Sequence, residues 1–163
     1  MISIKVNNSD IDFAKKQIKE FEKTKKGKWR YKNVEAWRGV VCEMLTGKWF
    51  EENYNIEKKV KGLDTSGIVD DCDLIINKKK IEIKSATKNY FKFIMPKVNN
   101  VINNPKDFYV GVKYNETINP NEVLIIGYIR HNEVLKYPIK KNKGAAYYEV
   151  PLNKLTKINK NEI

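Results

Sequence analysis

An α/β (α+β) fold with a mixed central β-sheet flanked by helices is the architecture this sequence predicts, and three observations predict it. Two segments place apolar residues at helical spacing: Ile11, Ala14, Ile18 and Phe21, then Val34, Trp37, Val40, Val41, Met44 and Leu45. Further on, apolar runs of strand length recur at 74–76, 81–83, 107–113 and 123–129. Helices and strands that each carry an apolar face bury it most economically by packing against one another. The chain has 163 residues, 41% of them hydrophobic, enough for one domain with its own core. No repeat or linker divides it, so 1–163 reads as a single domain.

The elements follow in order. Residues 2–6 alternate like a short strand, and Ser9 or Asp10 caps the first helix, over about 10–23. The stretch 23–32 is a basic loop in which Trp29 and Tyr31 alternate with cations. The second helix runs over about 33–46, with Asn33 as cap and Gly47 as its stop. Residues 56–61 read as a solvent-edged strand and 62–67 as a turn. Residues 68–86 form a tight hairpin around Asn77-Lys78-Lys79-Lys80. Residues 87–93 make an aromatic, basic connection. Pro96 starts a short helix that ends at Asn103-Asn104-Pro105. The strands 107–113 and 123–129 follow, the second apolar enough to be buried on both faces. Residues 136–143 form a basic loop, and a last strand and helical turn lie within 145–157.

Composition narrows the function. The formal net charge is +12, nearly all of it from lysine, since only Arg30, Arg38 and Arg130 are arginines. Such a surplus suits an anionic partner, nucleic acid first, because lysine–phosphate contacts release counterions. Solvated charges on a lysine-rich chain are the plainer reading of the same number. No run is long and apolar enough to cross a membrane, the start is no signal peptide, and no lipidation signal is present. A cytoplasmic location without membrane contact is therefore expected. Cys42 and Cys72 read as core residues rather than a disulfide. His131 is the single histidine, which excludes chemistries needing two or three. Thr46-Gly47-Lys48 lacks the first glycine of a phosphate loop, and no GxSxG elbow occurs. Carboxylates, lysines and hydroxyls remain.

The hairpin is where these converge. A four-residue loop 77–80 sets Ile76 against Ile81 and Asp73 against Lys84, with Glu82 one diagonal step away on the same face. Two carboxylates and an ammonium on one face of an apolar hairpin are costly unless they bind something. Oxygen ligands select a hard ion, Mg²⁺ or Mn²⁺. Asp73 and Glu82 supply carboxylates and the Ile83 carbonyl a third oxygen, while Asp71 shares the face of Asp73 and can replace it as ligand. Lys84 can orient a water, accept its proton or offset charge on a phosphoryl transition state. This is a set suited to phosphodiester hydrolysis. An acid-x-Lys tripeptide alone is weak, and Glu57-Lys58-Lys59 is a second copy; the isoleucines around Glu82 and the aspartate one turn upstream set the first apart.

Asp73-Leu74-Ile75-Ile76 and Ile81-Glu82-Ile83-Lys84-Ser85 resemble the PD-(D/E)XK nuclease superfamily, with its restriction-endonuclease-like fold. That family's pattern is an aspartate at a strand end, then an apolar-(Asp/Glu)-apolar-Lys strand, often followed by Ser. It also has a glutamate on the preceding helix, for which Glu35 ahead of Gly47 fits, with Glu43 as the fallback. The proline of the family's name is absent, Cys72 standing before Asp73. The resemblance covers about 33–130 and implies an αβββαβ core there, with the helix 10–23 and the segment 145–157 as additions. It implies Mg²⁺-dependent cleavage of DNA, Mn²⁺ substituting, with Asp73 and Glu82 as ligands, Lys84 as catalytic lysine and Glu35 as auxiliary acid. Phage, mobile-element and repair nucleases, type II-like restriction endonucleases and Holliday-junction resolvases all fall within it. The DNA is thus double-stranded or branched, and a homodimer is expected where two strands need two sites. Backbone contacts are expected from Lys25, Lys26, Lys28, Arg30, Lys88, Lys92, Lys140, Lys141 and Lys143. The alternative from another class is a non-catalytic nucleic-acid-binding module.

Overall fold

The computed structural model describes residues 1–23, 36–61, 72–142 and 144–159. Strand β1 (Ile2–Lys5) leads into helix α1 (Asn8–Glu22). Asn7 precedes that helix, and its N–H donates to the Asp10 carboxylate at 2.8 Å, one turn in. The capping residue thus lies two positions earlier than Ser9, and Asp10 serves as its partner. Ala14, Ile18 and Phe21 are buried, as their spacing requires.

Helix α2 (Trp37–Asn53) extends well past Gly47. The glycine does not end the helix; it lets Val60 approach, whose Cγ2 would lie 2.5 Å from an added Cβ. A glycine can thus mark close packing as well as a helix end. Strand β2 (Ile56–Lys58) forms a sheet edge, followed by β3 (Leu74–Ile76) and β4 (Lys79–Ala86). After the short β5 (Phe93–Ile94) come α3 (Val98–Asn103), β6 (Phe108–Tyr114) and β7 (Glu122–Arg130). Helix α4 (His131–Val134) is a single turn that the sequence does not announce. The basic stretch expected as a loop instead forms a hairpin, β8 (Ile139–Asn142) with β9 (Ala145–Tyr148). Its lysines are compatible with pairing because the strand lies exposed on the surface. Strand β10 (Val150–Pro151) and a 3₁₀ turn (Leu152–Lys154) follow.

The six-stranded sheet has the order β1-β7-β6-β4-β3-β2. All its pairings are antiparallel except β4 with β6, joined through β5 and α3. Helices flank this mixed sheet, an α+β arrangement. One core lies on the face covered by α1 and α2 and includes Trp37, Val41, Phe50, Ile81, Ile83, Val110 and Ile125. The other, from Ile94, Val101, Tyr109, Ile129, Val134, Tyr148 and Val150, lies on the opposite face. Strand β7 alternates at first and is buried on both faces only over Gly127, Tyr128 and Ile129. No helix among the described residues is long and apolar enough to cross a membrane.

Candidate active site

Strand β4 carries the site because its two faces do different work. Ile81 and Ile83 are buried in the helix-covered core, while Glu82 and Lys84 point to the other face. The hairpin that brings Asp73 to them is tighter than expected. Its loop is two residues, Asn77 and Lys78, with φ of 49° and 63°. Left-handed values at both positions match the twist of paired strands, and the Lys78 N–H donates to Glu57 Oε1 at 2.8 Å. Lys79 and Lys80, expected in the loop, pair with Ile76 and Ile75 instead.

The register is therefore Leu74 against Ile81, two residues from the expected one. Asp73, just outside β3, meets Glu82 rather than Lys84. A slip of two preserves every side chain's face, so the three charged residues still converge. The Asp73 N–H donates to the Ile81 carbonyl at 3.1 Å, and Asp73 Oδ2 accepts from the Ile83 N–H at 2.6 Å. Lys84 Nζ donates to Glu82 Oε1 at 2.5 Å, with side chains only 29% and 18% exposed.

The electrostatics follow from that crowding. Burial and the neighbouring Glu82 push the Asp73 carboxyl up to about 6, against the opposing pull of Lys84, the Ile83 N–H and Lys58. Burial alone would lower the Lys84 ammonium, but Glu82 and Asp73 outweigh it and hold it above the ordinary lysine range. Glu43, on α2, adds to that field. A carboxylate that ionises with difficulty beside a second carboxylate suits an added cation. Asp73, Glu82 and the Ile83 carbonyl are the oxygens that could hold one. Among the described residues, no three His, Cys, Asp or Glu side chains gather as a ready-made metal cage.

Glu35, Asp71, Lys25, Lys26, Lys28, Arg30 and Lys143 lie outside the described residues. Lys88 and Lys92 lie in the segment that follows β4, and Lys140 and Lys141 are exposed on β8. Lys140 pairs with Glu149 at 3.3 Å. Two residues near the site escaped the sequence reading. Lys58, in the second acid-x-Lys tripeptide, donates to the Cys72 carbonyl and adds positive charge near Asp73. Tyr109 pairs in register with Glu82 on the parallel neighbour β6 and is buried. Only the order of strands reveals either, since Lys58 and Tyr109 are remote from Glu82 in sequence. The chain matches no protein-family model, no curated protein and no solved structure.

Proposed function

We propose that this protein is a Mg²⁺-dependent deoxyribonuclease, an endonuclease that hydrolyses DNA phosphodiester bonds. The observation that carries the reading is the convergence of Asp73, Glu82 and Lys84 on one face of the β3–β4 hairpin, with the Asp73 carboxyl raised by burial and by Glu82. The chain order α2, β2, β3, β4, β5, α3, β6, with β6 parallel to β4, supports it, because apart from the two-residue β5 it is the order that the αβββαβ core of the family it resembles calls for. The net charge of +12 suits the polyanion.

In this reading Asp73 and Glu82, with the Ile83 carbonyl, would hold Mg²⁺ or Mn²⁺, whose chemistry when bound would be to polarise a phosphoryl group and acidify water. The chain's own residues do the rest. The Ile83 N–H fixes the Asp73 carboxylate. Lys84, held protonated by its neighbours, offsets charge that builds on the phosphoryl oxygens or orients the attacking water. A raised lysine favours these tasks over proton abstraction. Glu43 is the described helix glutamate that acts on Lys84, in the role for which Glu35 is the first candidate. A homodimer and a cytoplasmic location belong to the same proposal.

The decisive experiment is cleavage of supercoiled plasmid with Mg²⁺, Mn²⁺ or EDTA, beside Lys84→Ala. Metal-dependent nicking or linearisation that disappears in the variant supports the proposal. Salt-sensitive binding without cleavage, unchanged in the variant, supports the second reading, a non-catalytic DNA-binding module. One observation favours that second reading: Glu82 Oε1 is already satisfied by Lys84.

A further inference from the structure

The segment between β4 and β5 exposes more aromatic surface than a solvated loop needs. Tyr90 is 69% exposed and Phe91 42%, and Phe93, which opens β5, is 39% exposed. The rings of Tyr90 and Phe91 meet edge to face, with centroids 4.9 Å apart. Lys88 Nζ lies 5.9 Å from the centroid of each. Large apolar side chains clustered in water mark a contact surface.

The segment is held in place rather than left loose. Lys113 Nζ donates to the carbonyls of Lys88 and Phe91, the latter at 2.6 Å. The Phe91 N–H closes a turn onto the Lys88 carbonyl at 3.0 Å. Asn115 bonds Asn89 at 3.0 Å, and the Leu152 N–H bonds the Lys92 carbonyl at 2.9 Å. The rings are thus presented by a braced backbone, so little ordering cost remains for a ligand that stacks on them. A cavity of about 240 Å³ opens beside Tyr90, lined also by Thr87, Asn89 and the Arg38–Glu116 ion pair.

Its position ties it to the candidate site. The segment leaves the end of β4 two residues beyond Lys84, and Tyr90 lies six residues beyond it, so the two Cα atoms are at most ~22 Å apart. It returns as β5, where Ile94 lies within 3.3 Å of the Cβ position of Gly111, the residue in register with Lys84.

We infer that Tyr90 and Phe91, flanked by Lys88 and Lys92, form a stacking platform for unpaired bases, so that the substrate is DNA with a single-stranded segment. This rests on the nuclease reading and names the substrate of that site. The chemistry is that of aromatic faces beside cations: bases stack in a sequence-tolerant way while lysines track the phosphates. A neutral or basic protein partner would gain from the rings but nothing from the flanking lysines and the net charge of +12.

The test is binding in EDTA, which separates it from cleavage. A fluorescently labelled single-stranded oligonucleotide and a blunt duplex of the same sequence are titrated with wild type, with Tyr90→Ala/Phe91→Ala and with the conservative Tyr90→Phe/Phe91→Tyr. Loss of each ring should weaken single-strand binding by about 5-fold or more. Duplex affinity should change less than twofold, and the conservative variant should bind like wild type. Equal loss on both DNAs, no loss, or no DNA binding by wild type would overturn the inference. So would sedimentation showing that the alanine variant dissociates a dimer, because the rings would then serve self-association. If single-strand binding behaves as expected and plasmid is never cut, the nuclease reading fails while the platform stands.

Discussion

The two faces of strand β4 differ in how fully each is accounted for by folding. On the helix-covered face, Ile81 and Ile83 fill a core, and every contact there is explained by burial. On the other face, Glu82 and Lys84 sit half-buried with Asp73, in a crowd of charge that folding by itself disfavours. One strand thus carries a stabilising side and a charged side, which alternate because strand side chains alternate.

The sharpest way to break this comparison is to truncate each face in turn. Lys84→Ala should lower plasmid cleavage by ~10²–10³-fold, with a smaller fall in the urea midpoint than Ile81→Ala gives, from leaving Glu82 and Asp73 without their cation. Ile81→Ala should do the reverse in kind. It should cost about 2–5 kcal/mol of stability, read from urea unfolding, because Ile81 is 0% exposed. Activity of the fraction that remains folded should persist. If both variants lose stability alike, the division between the faces is wrong.

A third variant probes what closes the charged face. Gly111 and Gly127 pair across β6 and β7, and the segment Leu152–Thr156 packs directly on them. A Cβ at Gly127 would strike the backbone carbonyl of Thr156, which exchanges hydrogen bonds with Tyr128 at 2.8 Å. Gly127→Ala should therefore destabilise by about 1–3 kcal/mol, measured as a lower urea midpoint. Gly39, on the helix-covered side, makes the contrast. Its added methyl would meet Ser85 Oγ at an ordinary 3.7 Å, so Gly39→Ala should stabilise by ~0.5–1 kcal/mol through helix propensity.

A smaller, pH-dependent effect belongs to Asp73. Its carboxyl titrates near 6 in the folded chain and near 3.9 when unfolded. The stability this group contributes is thus complete below pH 4 and is lost as pH rises through 6. Asp73→Asn keeps an oxygen for the Ile83 N–H and cannot ionise. Its stability relative to wild type should grow from pH 4 to pH 7 in metal-free urea titrations. Mg²⁺ added at pH 7 should then raise the wild-type midpoint and leave that of the variant unmoved.

Much of this protein was determined locally by the sequence. The buried stripes of α1 and α2, the strands β6 and β7 and the face shared by Asp73, Glu82 and Lys84 follow from the periods 3.6 and 2, and the short helix α3 from the prolines and asparagines that bracket it, all of which depend on neighbours in the chain. The hairpin shows how robust the second period is. The loop 77–80 was read as four residues, yet the true two-residue turn left Asp73 and Lys84 on the same face, because the register moved by an even number.

Tertiary structure decided what depends on close approach between distant segments. Gly47 reads as a helix stop until Val60 is seen against it. The lysines of 139–142 read as a loop until β9 pairs with them. Lys58 reads as surface charge until β2 settles beside β3 and brings it to Cys72 and Asp73. The parallel pairing of β4 with β6 sets Tyr109 beside Glu82 and Gly111 beside Lys84, and with Gly111 the segment that covers this face. No local pattern encodes such contacts, because they arise from packing energies shared among residues far apart in the chain.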